Sequence, residues 1–402
     1  MEVSTFYELL SDQGQEALQE AVCCEPREVD FLRHYQVLER RFSRALARVA
    51  LETAILRREA KAKFPQADRL YFTRQSLEQA SRYGISCYRA RRFEGLERIL
   101  DLGCSIGGDT LAFAEVVYPF GIDRDPLRLA MAQANFRALG LSGSFLCADL
   151  LAHLPVSVSS RGWGAFFDPA RRSGRRRIHS VRDYRPPLDI VRSWLAVIPS
   201  LGVKISPGVR FDDIRTFEAE VEFISWKGAL KEAVLWFGPL KTGRRRATIL
   251  PGPFTVTEGD WPEAVDRVSE PRRFLYEPDP AILRAGLVQN LAAQLDAFQL
   301  DVDIAYLTAD DHRPTPFARI WEIEAWFPFQ LKRLRAYLRE RNVGQVVVKK
   351  RGSPLQPEVL IRDLRLKGQA ERVVFLTHLR GRPVVVVAFP EGRKGKEPPI
   401  PL

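Results

Sequence analysis

Residues 98–109 read RILDLGCSIGGD, and how they fold decides the architecture of the chain. Ile99, Leu100 and Leu102 form a short apolar run that suits a buried strand, with Asp101 near its end. Gly103 and Gly107 then let the backbone turn tightly and approach a ligand, because neither carries a Cβ. The following TLAFAEVV suits a helix, whose first N–H groups would face that turn. A strand, a Gly-rich turn and a helix open a doubly wound α/β sheet. Ligands bind such sheets beyond the carboxyl ends of the strands.

Working outward, YPFGID (118–123) reads as the second strand. PLRLAMAQANFRAL reads as a helix with Asp125 as N-cap, Pro126 at its first position and Gly140 as its stop. SFLCAD, GAFFD and GVKIS supply further strands, and VEFISWKGALKEAVLWFG (221–238) reads as a terminal hairpin turning near Gly228. Strands alternating with helices imply a parallel sheet with right-handed crossovers. Upstream, apolar positions from Phe31 to Phe64 recur at helical spacing until Pro65, and Thr73 offers the N-cap of another helix. Residues 239–275 are rich in Pro, Gly and Arg and mark a boundary. DPAILRAGLVQNLAAQL then reads as one capped helix. From Arg319 the order is strand, helix, strand, helix, strand, strand, a small α+β domain. The expected division is a helical region over 1–66, the Rossmann-like α/β domain over 67–255 and the α+β domain over 256–402.

The 402 residues carry a net charge of +11, and 46% are apolar, so the chain can bury a substantial core and favours polyanionic partners. No run approaches the roughly 18 apolar residues of a membrane span. The opening MEVSTFYELLSDQGQEALQE has no apolar signal core, so a cytoplasmic protein is expected. The five cysteines form no C-x-x-C pair and the five histidines show no ligand spacing, so no metal site is expected. Basic residues cluster at Arg171, Arg172, Arg175, Arg176 and Arg177, at Arg244–Arg246 and at Lys349–Arg351. Such runs read either as solvated loops or as a track for a nucleic-acid backbone.

Four aspartates close four expected strands in order: Asp101, Asp123, Asp149 and Asp168. Each alone also reads as a helix cap or turn former. Together they read as one pocket along a single sheet edge. On these residues the chain resembles the class I S-adenosylmethionine-dependent methyltransferases, over about residues 67–240. That family's D-x-G-x-G-x-G turn, which holds the methionine end of the cofactor, falls on Asp101, Gly103, Ser105 and Gly107, with Ser105 in place of the middle glycine. The resemblance implies Asp123 as the acid on the ribose and Asp149 as acceptor from the adenine amino group. It also implies Phe72 and Thr73 beside the cofactor, although core packing and helix capping suit these two equally. The N-terminal helices and the region after 255 resemble bacterial methyltransferases with a C-terminal THUMP-like domain, which points to RNA.

The stretch AFFDPARRSGRRR (165–177) ends the fourth strand on Asp168 and Pro169 and continues into five arginines. Enzymes that methylate exocyclic base nitrogens, the cap-guanine N2 methyltransferases among those it resembles, end this strand in D/N-P-P-aromatic. Asp168-Pro169 keeps the first half, while Ala170 and Arg171 replace the second. The resemblance therefore implies Asp168 as the group that orients a nitrogen nucleophile. The arginines would meet phosphates, and a stacking surface would come from Tyr184, Phe72 or Arg171. Lys204, in GVKIS, reads as a surface lysine or as a partner for a carboxylate in the cleft. Three functions stay open: a methyltransferase for an RNA base nitrogen, one for a protein or small acidic metabolite, and an inactive RNA-binding protein on the same fold.

Overall fold

The computed structural model describes residues 1–151, 154, 162–169, 172–173, 176–177, 184, 186–263, 267–390 and 400–401. The chain divides into two compact units, Met1–Glu220 with Ala233–Thr242, and Val221–Glu232 with Gly243–Leu402. This differs from the expected division. The helical region 1–66 is not a separate body, and the second unit takes in the stretch from Gly243 to residue 255.

The first unit opens with α1 (Val3–Leu9), α2 (Asp12–Cys23), α3 (Phe31–Leu38) and α4 (Arg44–Ala60). The apolar spacing over 31–64 suggests one helix, but the chain breaks after Leu38. Ser43 restarts it by accepting the Leu46 N–H on its side chain. The spacing runs through the break because both helices feed one core. Leu38, Leu46, Ala50, Phe64 and Phe72 pack in the same cluster as Met131 and Phe136, which come from beyond the first strands. That shared core is why 1–66 does not stand alone. α5 (Arg74–Gln79) starts at Thr73, which forms a capping box with Ser76, and α6 (Tyr83–Ala90) follows.

The strands of this unit are β1 (Arg98–Leu102), β2 (Tyr118–Asp123), β3 (Ser144–Cys147), β4 (Trp163–Phe167), the short β5 (Arg172–Ser173) and β6 (Arg176–Arg177), and β7 (Leu201–Ile205). The hairpin β8 (Glu220–Trp226) and β9 (Ala229–Trp236) follows, and the end of β9 returns to the first unit. Here β3, β2, β1, β4 and β7 lie side by side and parallel, and β9 closes antiparallel on β7. Because β1 lies between β2 and β4, the strand order reverses at its carboxyl end, where such sheets bind ligands. Helices α7 (Gly108–Phe113), α8 (Pro126–Leu139), α9 (Val191–Leu195) and α10 (Phe211–Ile214) connect the strands. α8 has the expected ends: the Asp125 carboxylate accepts the Leu127 and Arg128 N–H groups, and Gly140 stops it at φ +70°.

In the second unit β8 pairs in parallel with β10 (Arg245–Leu250), which pairs antiparallel with β11 (Phe254–Thr257). Pro, Gly and Arg flank these strands and hid them. A second sheet follows from β12 (Phe274–Pro278), β13 (Phe298–Asp301), β14 (Ile304–Ala309), β15 (Ala318–Pro328), β16 (Val343–Lys350), β17 (Ala370–Leu379) and β18 (Arg382–Ala388), in the order β13-β14-β12-β15-β18-β17-β16. Helices α11 (Pro280–Ala285) and α12 (Val288–Leu295) replace the single helix read from the sequence, since Gly286 takes φ +69° and ends the first. α13 (Leu331–Glu340) and α14 (Pro357–Leu364) pack Leu334, Leu338 and Leu360 against Phe327 and Val374 of the sheet.

Candidate active site

Strand register brings the acids to one edge. Leu102 lies between Ile122 and Phe167, and Asp123 lies opposite Cys147. The turn after β1, Asp123, Asp149 and Asp168 therefore all leave the sheet at the same end, with Asp101 one residue deeper. The turn is made by left-handed residues: Gly103 at φ +87°, Ser105 at +53° and Gly107 at +82°. At Gly103 a Cβ would stand 3.2 Å from the Asp168 carbonyl oxygen, so a bare backbone is needed where the two strand ends meet.

Asp123 ties the turn to β2. Its Oδ2 accepts the Ser105 N–H at 2.9 Å and its Oδ1 accepts the Asp125 N–H at 2.9 Å. These bonds hold Ser105 in a conformation that a serine seldom adopts. The Ser105 hydroxyl is buried and has no hydrogen-bond partner among the described residues. A buried polar group left so is costly, and a polar ligand atom seated in the turn would satisfy it. The turn thus fits a polar cofactor head lying against glycine backbone.

Beneath it lies a buried charge cluster that the sequence reading did not foresee. Asp101 is 1% exposed and accepts the Thr110 hydroxyl, so it supports the turn from below. Burial, and next the negative charge of Asp109, push its carboxyl up to about 8. Burial works against ionising Asp109 too. There the charges of Arg89 and Lys204, with hydrogen bonds from Ser86 and Arg89, prevail and hold the carboxyl below its ordinary value. Arg89 is fully buried, donates to Asp109 at 2.5 Å and lies 4.7 Å from the centre of the Phe166 ring. Lys204, far from being a surface lysine, is buried on β7 and donates to Asp168 Oδ2 at 2.6 Å.

The remaining expected residues divide. Asp149 is exposed and accepts the Leu151 N–H at 2.9 Å. Pro169 is buried behind Asp168. Phe72 is a core residue packed on Phe64, and Thr73 caps α5. Asn135 of α8 holds this segment beside the turn: it accepts from the Tyr71 N–H at 2.7 Å and donates to the Tyr71 and Ile106 carbonyls at 3.2 and 3.0 Å. Only a polar residue in the buried stripe of that helix could have signalled it. Tyr184 is also buried, its hydroxyl accepting the Ser206 N–H at 3.0 Å. Burial of both rings removes Phe72 and Tyr184 as open stacking surfaces. Arg171 and Arg175 lie outside the described residues. Arg172, Arg176 and Arg177 belong to an antiparallel ribbon, β5 with β6, that begins at Arg172, shortly after Asp168 in the chain. In the second unit the basic clusters are partly neutralised. Arg245 pairs with Glu258 at 3.0 Å, and Lys349 and Arg351 both reach Glu277.

A parallel sheet whose order reverses beside a left-handed turn, with acids on the flanking strand ends, is the class I methyltransferase arrangement. The chain belongs to the S-adenosylmethionine-dependent methyltransferases. It is 37% identical over 345 residues to two uncharacterized S-adenosylmethionine-dependent methyltransferases of Mycobacterium tuberculosis, from strains CDC 1551 and H37Rv. The match covers 82% of this chain and 92% of each relative. A crystal structure from Porphyromonas gingivalis W83, assigned as a methyltransferase, shares the fold at a TM-score of 0.70 and 19% identity, covering 92% of this chain and all of that one. A THUMP domain-like family matches residues 318–390, and a domain family of unknown function matches residues 2–60. Among the described residues no helix is long and apolar enough to cross a membrane.

Proposed function

We propose that this enzyme methylates a base nitrogen of RNA, with Asp168 receiving the acceptor. When bound, S-adenosylmethionine supplies a methyl group already activated by its sulfonium. The chain's own residues then have to hold, align and shield. In this reading the turn from Gly103 to Gly107, with the Ser105 hydroxyl, holds the methionine end. Asp123 meets the ribose, and Asp149 the adenine amino group. Asp168, with Pro169 behind it, accepts an N–H of the acceptor and so points the nitrogen toward the methyl carbon. Arg171, Arg172, Arg175, Arg176 and Arg177 meet phosphates beside it.

The observation that carries the reading is the arginine-bearing ribbon that begins at Arg172, shortly after Asp168 in the chain. A hydrogen-bond acceptor at the strand end and an arginine-rich segment are thereby neighbours in the chain. The THUMP-like match and the net charge of +11 support RNA as the polyanion. The test is transfer of tritiated methyl groups to an extract from cells lacking the gene, followed by separate ribonuclease and proteinase digestion. Label released by ribonuclease is expected. Label in protein or in a small acidic metabolite would move the acceptor to another class. Cofactor binding with no transfer would make the chain an RNA-binding protein on an inactive methyltransferase fold.

A further inference from the structure

Lys204 lies at a position where β7 could have carried an apolar residue. Leu201, Val203 and Ile205 of the same strand are all fully buried. An ammonium in such surroundings costs several kcal/mol unless it is paired. Its side chain is 3% exposed and its Nζ lies 2.6 Å from Asp168 Oδ2, with Asp109 within its field. The other partner is open: the Asp168 side chain is 27% exposed, and nothing among the described residues donates to its Oδ1. The Asp168 backbone is fixed as well, since its N–H donates to the Leu102 carbonyl at 3.3 Å.

We propose that Lys204 is a positioning residue for methyl transfer: it anchors Asp168 through Oδ2, so that Oδ1 presents a lone pair to the acceptor in one orientation. The proposal rests on the reading of Asp168 given above. In the step it serves, the acceptor nitrogen forms the bond to the methyl carbon, and the electron pair of the broken carbon–sulfur bond stays on sulfur. The surplus proton on nitrogen passes to Asp168 and on to water. A charged Lys204 has no lone pair for that proton, so its part is orientation. A carboxylate fixed at one oxygen cannot rotate away from the attack line, and misplacement of about 1 Å costs about 100-fold in rate.

The test is a double-mutant cycle of Lys204→Met, Asp168→Asn and the double variant in the full chain. Cofactor affinity is measured by calorimetry, and kcat by tritiated methyl transfer to the same gene-deficient extract. Lys204→Met is expected to keep cofactor affinity within about threefold and to lose about 10- to 100-fold in kcat. Lys204→Arg should recover part of it. The double variant should be no slower than Asp168→Asn, because in the transfer step Lys204 acts through that carboxylate and not through Asp109. A folded Lys204→Met with wild-type kcat, or losses that multiply in the double variant, would overturn the proposal. Should Lys204→Met fail to fold, the double variant, an uncharged pair, is compared with Asp168→Asn alone. Equal rates support the proposal and a further large loss refutes it. Wild-type turnover by Asp168→Asn, or no transfer by the wild type, would instead remove the reading of Asp168 itself.

Discussion

Replacing Asp101 by Asn isolates the buried charge cluster. Burial pushes the Asp101 carboxyl up to about 8, with the charge of Asp109 acting the same way. An unfolded aspartate titrates near ~3.9. Between these values the folded chain holds a proton that the unfolded chain has released, so stability falls as pH rises through that window. At ~1.4 kcal/mol per pH unit, the loss from this group between pH 5 and 8 comes to about 3–4 kcal/mol. Asparagine has the same shape, cannot ionise, and its amide oxygen can still accept the Thr110 hydroxyl. The variant should therefore match the wild type near pH 4–5 and exceed it by about 3 kcal/mol at pH 8. Asp109 adds nothing in this range, because its carboxyl titrates below its ordinary value. The assay is urea denaturation of both proteins at pH 5 and 8, followed through the transition of the first unit. A stability difference that is the same at both pH values would refute the buried, protonated Asp101.

Three further outcomes are expected. Arg89→Met strands the Asp109 carboxylate and should cost about 3–5 kcal/mol, or about 10 °C in Tm, with Arg89→Met/Asp109→Leu recovering most of it. A calorimetric shift under about 2 °C would contradict this. Asp123→Ala frees the Ser105 and Asp125 N–H groups and should weaken cofactor binding by about 10- to 100-fold in calorimetry, since hydrogen bonds to a charge contribute about 1.5–3 kcal/mol. Asp149→Ala, at an exposed site, should weaken it less, and the reverse order would overturn the assignment of the two acids. Gly103→Ala must hold φ +87° with a methyl 3.2 Å from the Asp168 carbonyl, so it should lower both cofactor affinity and Tm. Wild-type values of both would show that the strand ends can separate freely.

The α/β framework was legible because its signals are local. The caps at Asp125 and Gly140 gave α8 its limits, and RILDLG and YPFGID gave β1 and β2. The break at Ser43 was hidden because apolar spacing continues across it, and Gly286 was passed over inside an otherwise periodic stretch. Within the site, the four acids could be picked out as candidates because each lies at or beside a strand end, a position visible in the chain. What Lys204, Asp109, Arg89 and Asn135 do depends on which strands and helices become neighbours. A lysine in GVKIS has no local mark that separates a surface charge from one paired 2.6 Å from Asp168. For the same reason Phe72 and Tyr184 read equally as stacking rings or core until their burial is known.

The most direct measurement is identification of the methylated nucleoside. RNA from cells lacking the gene is treated with the enzyme and labelled cofactor, digested to nucleosides and resolved by mass spectrometry, with Asp168→Ala in parallel. A single N-methylated base that disappears with Asp168→Ala, while that variant still binds cofactor, is the expected result. Label on ribose, on a base carbon or in protein, or undiminished transfer by Asp168→Ala, would contradict it.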